Sequence, residues 1–518
     1  MSRHTLLLIA GAPIFCLLVL LNVGGYRYGV SDQAFYIPVV LRGLDPSLYP
    51  HDAPLLAVQN QLLAFDDWFS SIVAMSGVSV PAAFFVSYLA GLSLLYAAAV
   101  SIGRTVYSTW WGVGAFVVAL TIRHRITDTA VNTLESYLHP RILAFAVGLT
   151  AVAIFLRGRT WIACLTVVVA LLLHPTTAIW FAVWIGVAAL ISDRSSRDWL
   201  LAIAGVTVIA GVFLLASTFR DQLVVMDETW SSVLQSKDYL VATDWPLVTW
   251  FAHLGSALII AAIYRYRHAL RCTTERETGL VVGSGVLLLI FLVSVPLSAA
   301  GLALIVQLQF NRVFWLLDIF AICYAVWLLV ESPLSIHGVG RPLAGACSAP
   351  RARRVVVAAL VAATVVRGGY VMGIERAGHP LVQVNLSATD WTAVMMWAGE
   401  RPVGTHFLAD PGHAWRYGSS VRAASGRDVY LEEIKDIGIA IYSSTVAHRI
   451  AERIADLGDF STLDASRARR LARRYNLHYL ITEHSLDLPR AHRNGRFTVY
   501  DLRADHRVAS TTSLSPLH

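Results

Sequence analysis

Asp32 stands directly after the first apolar segment of the chain, in the stretch SDQAFYIPVVLRGLDPSLYPHDAPLL (31–56), which also carries Arg42, Asp45, His51 and Asp52 among the aromatics Tyr36 and Tyr49. A carboxylate beside a membrane boundary suits the removal of a proton from a substrate hydroxyl, because it can be held close to a reacting group away from bulk water. A first loop must also contain polar residues simply to meet water, so both readings stand. A second dense group lies in TIRHRITDTAVNTLESYLHPR (121–141), with Arg123, His124, Arg125, Asp128, Asn132, Glu135, His139 and Arg141 between two apolar runs. Guanidinium groups stay charged and present several donors in a fork, which suits a phosphate. The alternative is ordinary snorkelling to lipid headgroups. His174, in LLLHPTT (171–177), could donate to a substrate or finish a helix end. Asn311 and Arg312, in QLQFNRVFW (307–315), place a cation at the start of an apolar span, where it can hold a lipid phosphate.

These residues must be positioned by elements built for lipid. The 518 residues are 56% hydrophobic and only 14% charged, with a mean hydropathy of +0.59, which excludes a single water-soluble core. Apolar runs of spanning length occur near 5–22, 79–101, 105–121, 141–156, 160–173, 176–192, 198–217, 246–264, 278–296, 312–330 and 354–373. The pattern predicts a polytopic α-helical membrane protein of about eleven spans. The first run lacks a small-residue cleavage site and reads as an uncleaved anchor. Alternate gaps collect arginines: Arg104, then Arg157 and Arg159, then Arg194 and Arg197, then Arg265, Arg267, Arg271 and Arg276, then Arg341, Arg351, Arg353 and Arg354. The positive-inside bias therefore puts these gaps in the cytoplasm. The Asp32 loop, the 121–140 and 218–245 loops and everything after about 374 fall on the other side. For that count to hold, the apolar segment 297–310 must be a re-entrant or surface helix and not a span of its own.

The net charge of +7 comes almost entirely from arginine, since Lys237 and Lys435 are the only lysines. It fits positive-inside bias and contact with anionic membrane lipids, with no nucleic-acid partner. No cysteine lies in an extracytoplasmic part, so no disulfide framework is expected, and no zinc-ligand spacing occurs.

After the last apolar run the composition changes, and 375–505 reads as a soluble α/β domain, separate from a membrane module over 1–374. Segments 405–410, 427–432, 477–482 and 496–502 have strand character, while 388–399, 434–456 and 463–475 read as helices, the last capped by Asp464. No nucleotide-binding or hydrolase signature occurs in it, so it reads as a recognition or partner module. Residues 506–518 read as a disordered tail.

An acidic residue just after the first helix, a bundle of about eleven spans, a basic penultimate gap and a C-terminal α/β domain on the outer side together resemble the GT-C membrane glycosyltransferases. The phrases LRGLDPSLYPHDAP, LLLHPTTAIW and QLQFNRVFW, with YNLHYLITE and NGRFTVYDL in the tail, are similar to those of uncharacterised bacterial members. The resemblance implies a GT-C-like fold in the bacterial cytoplasmic membrane with the C-terminal domain extracytoplasmic. It implies transfer of a sugar from a polyprenyl-phosphate-linked donor to an envelope glycan, lipid or protein. It makes Asp32 the first-loop catalytic carboxylate and Arg312 the lipid-phosphate partner. Asp52 is the second catalytic candidate, as base or as a carboxylate that orients acceptor or metal. Asn311, Arg123, Arg125, His124, His174 and Tyr36 complete the candidate substrate-binding set. Some relatives pair acidic residues with a divalent cation such as Mg2+ or Mn2+ and others use none, and the spacing of SDQ and HDAP leaves metal use open. Two other classes fit part of the pattern: a transporter or flippase of an envelope precursor, and a non-catalytic membrane scaffold.

Overall fold

The computed structural model describes residues 3–62, 64–217, 220–332 and 350–503. The expected tail at 506–518 and the arginine-bearing stretch around Arg341 lie outside the described residues. Each of the apolar runs forms a helix. Six helical stretches are long and apolar enough to cross a membrane: Val80–Val106, Pro175–Ser192, Leu247–Ala269, Glu275–Ala299, Ala303–Val330 and Arg353–Glu375. Shorter apolar helices cover Ala10–Val23, Trp110–Ala119, Pro140–Leu156 and Thr160–Leu173. A mostly helical chain with several such stretches is a multi-pass membrane protein.

The segment 297–310 is divided between two helices instead of forming one of its own. Its start completes Glu275–Ala299, and the chain then turns at Gly301, where φ is +72°. A short helix, Ala303–Leu308, follows and leads through Gln309, in the left-handed region at φ +49°, and the turn Phe310–Arg312 into Val313–Val330.

The chain divides into two compact units, and the division differs from a simple cut near residue 374. One contains Met1–Tyr26, Phe85–Val225 and Lys237–Val382; the other contains Arg27–Phe84, Met226–Ser236 and Gln383–His518. The first loop therefore folds with the C-terminal domain.

In the first unit, helix Glu275–Ala299 lies closely on Pro175–Ser192 because glycine permits it. A Cβ on Gly279 would stand 2.5 Å from the Ala188 carbonyl oxygen, and the Trp184 indole donates to the Leu280 carbonyl at 2.8 Å. Arg267 and Glu277 close the turn between Leu247–Ala269 and Glu275–Ala299 with a fully buried pair at 2.8 Å, under the ring of Trp327. Arg367 on Pro350–Tyr370 donates to the side chain and carbonyl of Asn22 and to the Arg123 carbonyl, joining the last helix, the first helix and the 121–139 loop.

The second unit is built on a five-stranded sheet in the order Asp428–Val429, His406–Leu408, Tyr479–Thr482, Phe497–Asp501 and Arg490–Asn494. The first three run parallel, and the last two join antiparallel. Trp391, Val394 and Met395 of helix Asp390–Gly399 cover one face of it with Phe407, Val429, Ile481 and Val499. The expected helix at 434–456 is two helices, Glu433–Ala440 and Ser444–Leu457, the second capped by the Ser443 hydroxyl. Asp464 caps Ala465–Tyr475 by accepting from the Arg467 amide at 2.7 Å.

Candidate functional site

Within the second unit, the sequence of the first loop is folded around buried charge. Arg422, with 1% of its side chain exposed, donates from Nε to Asp52 at 2.7 Å, from Nη1 and Nη2 to Asp436 at 2.5 and 3.1 Å, and from Nη1 to Glu432 at 3.1 Å. Arg449 reaches the other oxygen of Asp52 at 2.5 Å. Burial alone would raise the Asp52 carboxyl, but Arg422 and Arg449 overcome it and hold the group below the usual carboxylate range. Asp428 accepts from the backbone amides of His51 and Asp52, while burial and the neighbouring Asp52 charge push its carboxyl up to about 7. Burial likewise pushes Glu432 up to about 7. His406 stacks on His51 with centroids 4.6 Å apart and is pushed down to about 3 by burial. Asp52 is thus an anchor between the first loop and the sheet. With no exposed surface and guanidinium groups on both oxygens, it is not placed to take a proton from an acceptor, which corrects its reading as a second base.

Asp32 is placed differently. It precedes helix Gln33–Leu44, its side chain keeps 27% exposure, and its Oδ1 lies 2.9 Å from Nζ of Lys435. Tyr36 is buried within that helix, beside Phe35. Among the described residues no three or more His, Cys, Asp or Glu side chains gather where one ion could hold them. With Asp52 committed to arginines, Asp32 and Asp52 do not offer a paired carboxylate site for a divalent cation.

The other candidates lie in the first unit. Arg312 is buried, and its Nη1 donates to the Thr176 hydroxyl at 2.8 Å. Thr176 and Thr177 also meet Nδ1 of His174, at 3.3 and 3.0 Å. His174 stands within electrostatic reach of Arg312, His139 and Arg141, and the His139 and His174 rings are 6.0 Å apart. Arg141 approaches Glu135 at 3.9 Å. Two arginines and two histidines therefore converge at the start of Pro140–Leu156, at the break before Pro175–Ser192 and at the start of Val313–Val330. Of these, sequence reading singled out Arg312 and His174.

Asn311 does not point into that group. Its amide nitrogen donates to the carbonyl of Tyr239 at 2.8 Å, with Asp128 further away at 3.4 Å. Arg123 uses Nε on the Leu134 carbonyl at 3.2 Å. Both side chains brace loop backbone through these bonds. His124 pairs with Asp318 at 2.9 Å, and this hydrogen bond raises its pKa. Arg125 is exposed on the two-residue strand Arg125–Ile126. Lys435, Arg422 and Arg449 were missed, although Lys435 carries a signal as one of two lysines in an arginine-rich chain.

No protein-family model and no curated protein matches the chain. Among solved structures, it is similar to the Archaeoglobus fulgidus oligosaccharyltransferase in its apo form, with a TM-score of 0.47 and 13% sequence identity over 93% of this chain and 69% of that one.

Proposed function

We propose that the protein is a GT-C-type membrane glycosyltransferase that moves a sugar from a polyprenyl-phosphate-linked donor to an extracytoplasmic acceptor in envelope biogenesis. The observation that carries this reading is the buried convergence of Arg312, Arg141, His139 and His174 at the ends of membrane-class helices. Such a set offers fixed donors to a phosphate oxygen in a setting where water competes poorly. In the transfer, the acceptor oxygen attacks the anomeric carbon as the bond from that carbon to the phosphate oxygen breaks. The phosphate keeps the electron pair and is neutralised by Arg312. The base assigned to the acceptor proton is Asp32 of the second unit, on the strength of its partial exposure.

The test is transfer by the full chain in reconstituted vesicles with a panel of labelled polyprenyl-phosphate sugars, wild type against Asp32→Asn. The expected result is a loss of about 10²- to 10⁴-fold with the protein still folded. Equal transfer by the variant removes Asp32 as base, and absence of transfer by wild type from every donor favours a transporter of the same lipid-linked precursor.

A further inference from the structure

Lys435 is one of two lysines among 41 basic lysine and arginine residues, and it is almost fully buried, at 8% exposure. Burying a long cationic side chain is unfavourable unless it is paired. Its Nζ meets Asp32 Oδ1 at 2.9 Å and the Ser31 hydroxyl at 3.4 Å. Ser31 has φ +53°, a left-handed conformation that a non-glycine residue adopts only where its surroundings hold it. The hydrogen bond from the Gly29 amide to the Gln33 side chain, at 2.7 Å, braces the same turn. So the backbone that presents Asp32 is constrained, and Lys435 touches both residues of the constraint.

The helix that carries Lys435 is itself locked. Glu432, just before Glu433–Ala440, and Asp436 within it are clamped by Arg422, and the Ala440 carbonyl accepts from the Trp230 indole at 2.7 Å. The ammonium is therefore delivered from a short rigid platform with little freedom to follow Asp32 elsewhere. A lysine suits this task because it is a compact point charge that meets one carboxylate oxygen, whereas an arginine fork tends to take both.

We propose that Lys435 is the positioning residue of the transferase, holding Asp32 in the rotamer from which it accepts the acceptor proton. This rests on the reading of Asp32 as base. It makes the C-terminal domain part of the reaction machinery and not only a recognition module.

The experiment uses the full chain in vesicles and compares wild type, Lys435→Met, Lys435→Arg and Asp32→Asn in one transfer assay. Lys435→Met is expected to lower kcat at least tenfold with little change in KM for the lipid donor, and to move the acid limb of the pH–rate profile up by about one unit, as loss of a cation beside a carboxylate does. Lys435→Arg, which keeps the charge, is expected to bring the acid limb back. Wild-type kcat and an unmoved limb in Lys435→Met, beside an inactive Asp32→Asn, overturn the positioning role while the glycosyltransferase reading survives. An active Asp32→Asn, or no transfer by wild type from any donor, overturns the reading and this inference with it. If Lys435→Met fails to fold, the acid limb of Lys435→Arg and the coupling of Asp32→Asn with Lys435→Arg in thermal unfolding decide; additive effects overturn the pairing.

Discussion

Arg422 shows how much of the second unit depends on single side chains. Removing one member of a buried ion pair typically costs about 3–5 kcal/mol, because the partner charge stays buried without compensation. Here one guanidinium serves Asp52, Glu432 and Asp436 at once. His413 sits against the same group and must be neutral: Nδ1 donates to the Asp410 carbonyl at 2.7 Å, and Nε2 accepts from the Val421 amide at 3.1 Å. Burial pushes it down to about 4 from an ordinary 6.5. The unfolded chain then binds a proton between these values that the folded chain does not, so stability is fully present above about 6.5 and is lost as pH falls towards about 4. The cost over that window is on the order of 3 kcal/mol. Asp428 and Glu432, both raised, act with the opposite sign, but they are common to wild type and variant. The thermal midpoint of wild type is therefore expected to fall more steeply with acid than that of His413→Gln; parallel curves would place the pH response elsewhere.

At the scale of elements, helix Glu433–Ala440 is the part on which the site turns. The segment Met226–Ser236 folds onto it through helix Glu228–Leu234, capped by Asp227, and through the Trp230 indole. Trp230→Phe keeps an aromatic ring but loses the hydrogen bond, worth about 1 kcal/mol, and leaves a small cavity where the second ring of the indole stood. It is expected to speed proteolytic cutting within 226–236 and to lower transfer, since the platform of Lys435 loosens. Unchanged cutting would mean that neither the hydrogen bond nor the full indole is needed to hold the segment. The break at Ser443 and the strand Arg490–Asn494 escaped sequence reading for physical reasons. The strand lies at the sheet edge with mostly exposed or half-exposed residues, so it shows no alternation of apolar and polar positions. The break interrupts an otherwise continuous helical periodicity with one serine that caps as well as it continues.

For the whole molecule, one folded body must lie on one side of the membrane. The first loop, Met226–Ser236 and the C-terminal domain belong to the same compact unit. In the topology expected from the sequence, where each apolar run crosses once, six crossings would separate the first loop from Met226–Ser236 and four would separate that segment from the C-terminal domain. Both counts are even, so the topology expected from the sequence puts all three on one face, and a separate crossing by 297–310 would break it. An impermeant maleimide applied to sealed vesicles is expected to label cysteines placed at the exposed Ser47, Ser232 and Ser485 from one side, and the exposed native Cys272 only from the other. Labelling of Cys272 together with the three introduced sites would overturn the orientation.

Composition and the spacing of apolar runs determined the helices, because burial in lipid leaves a chain little choice but to close its backbone hydrogen bonds locally. Alternation and capping residues likewise determined four of the five C-terminal strands and the helix begun at Asp464. Only the tertiary structure decided that Asp52 is an anchor, that Asn311 donates to the Tyr239 carbonyl and Arg123 to the Leu134 carbonyl, and that Lys435 reaches Asp32. A charged side chain acts through whatever stands within a few ångströms of it, and Asp52 and Arg422, or Asp32 and Lys435, are separated by several hundred residues of chain that no local pattern spans.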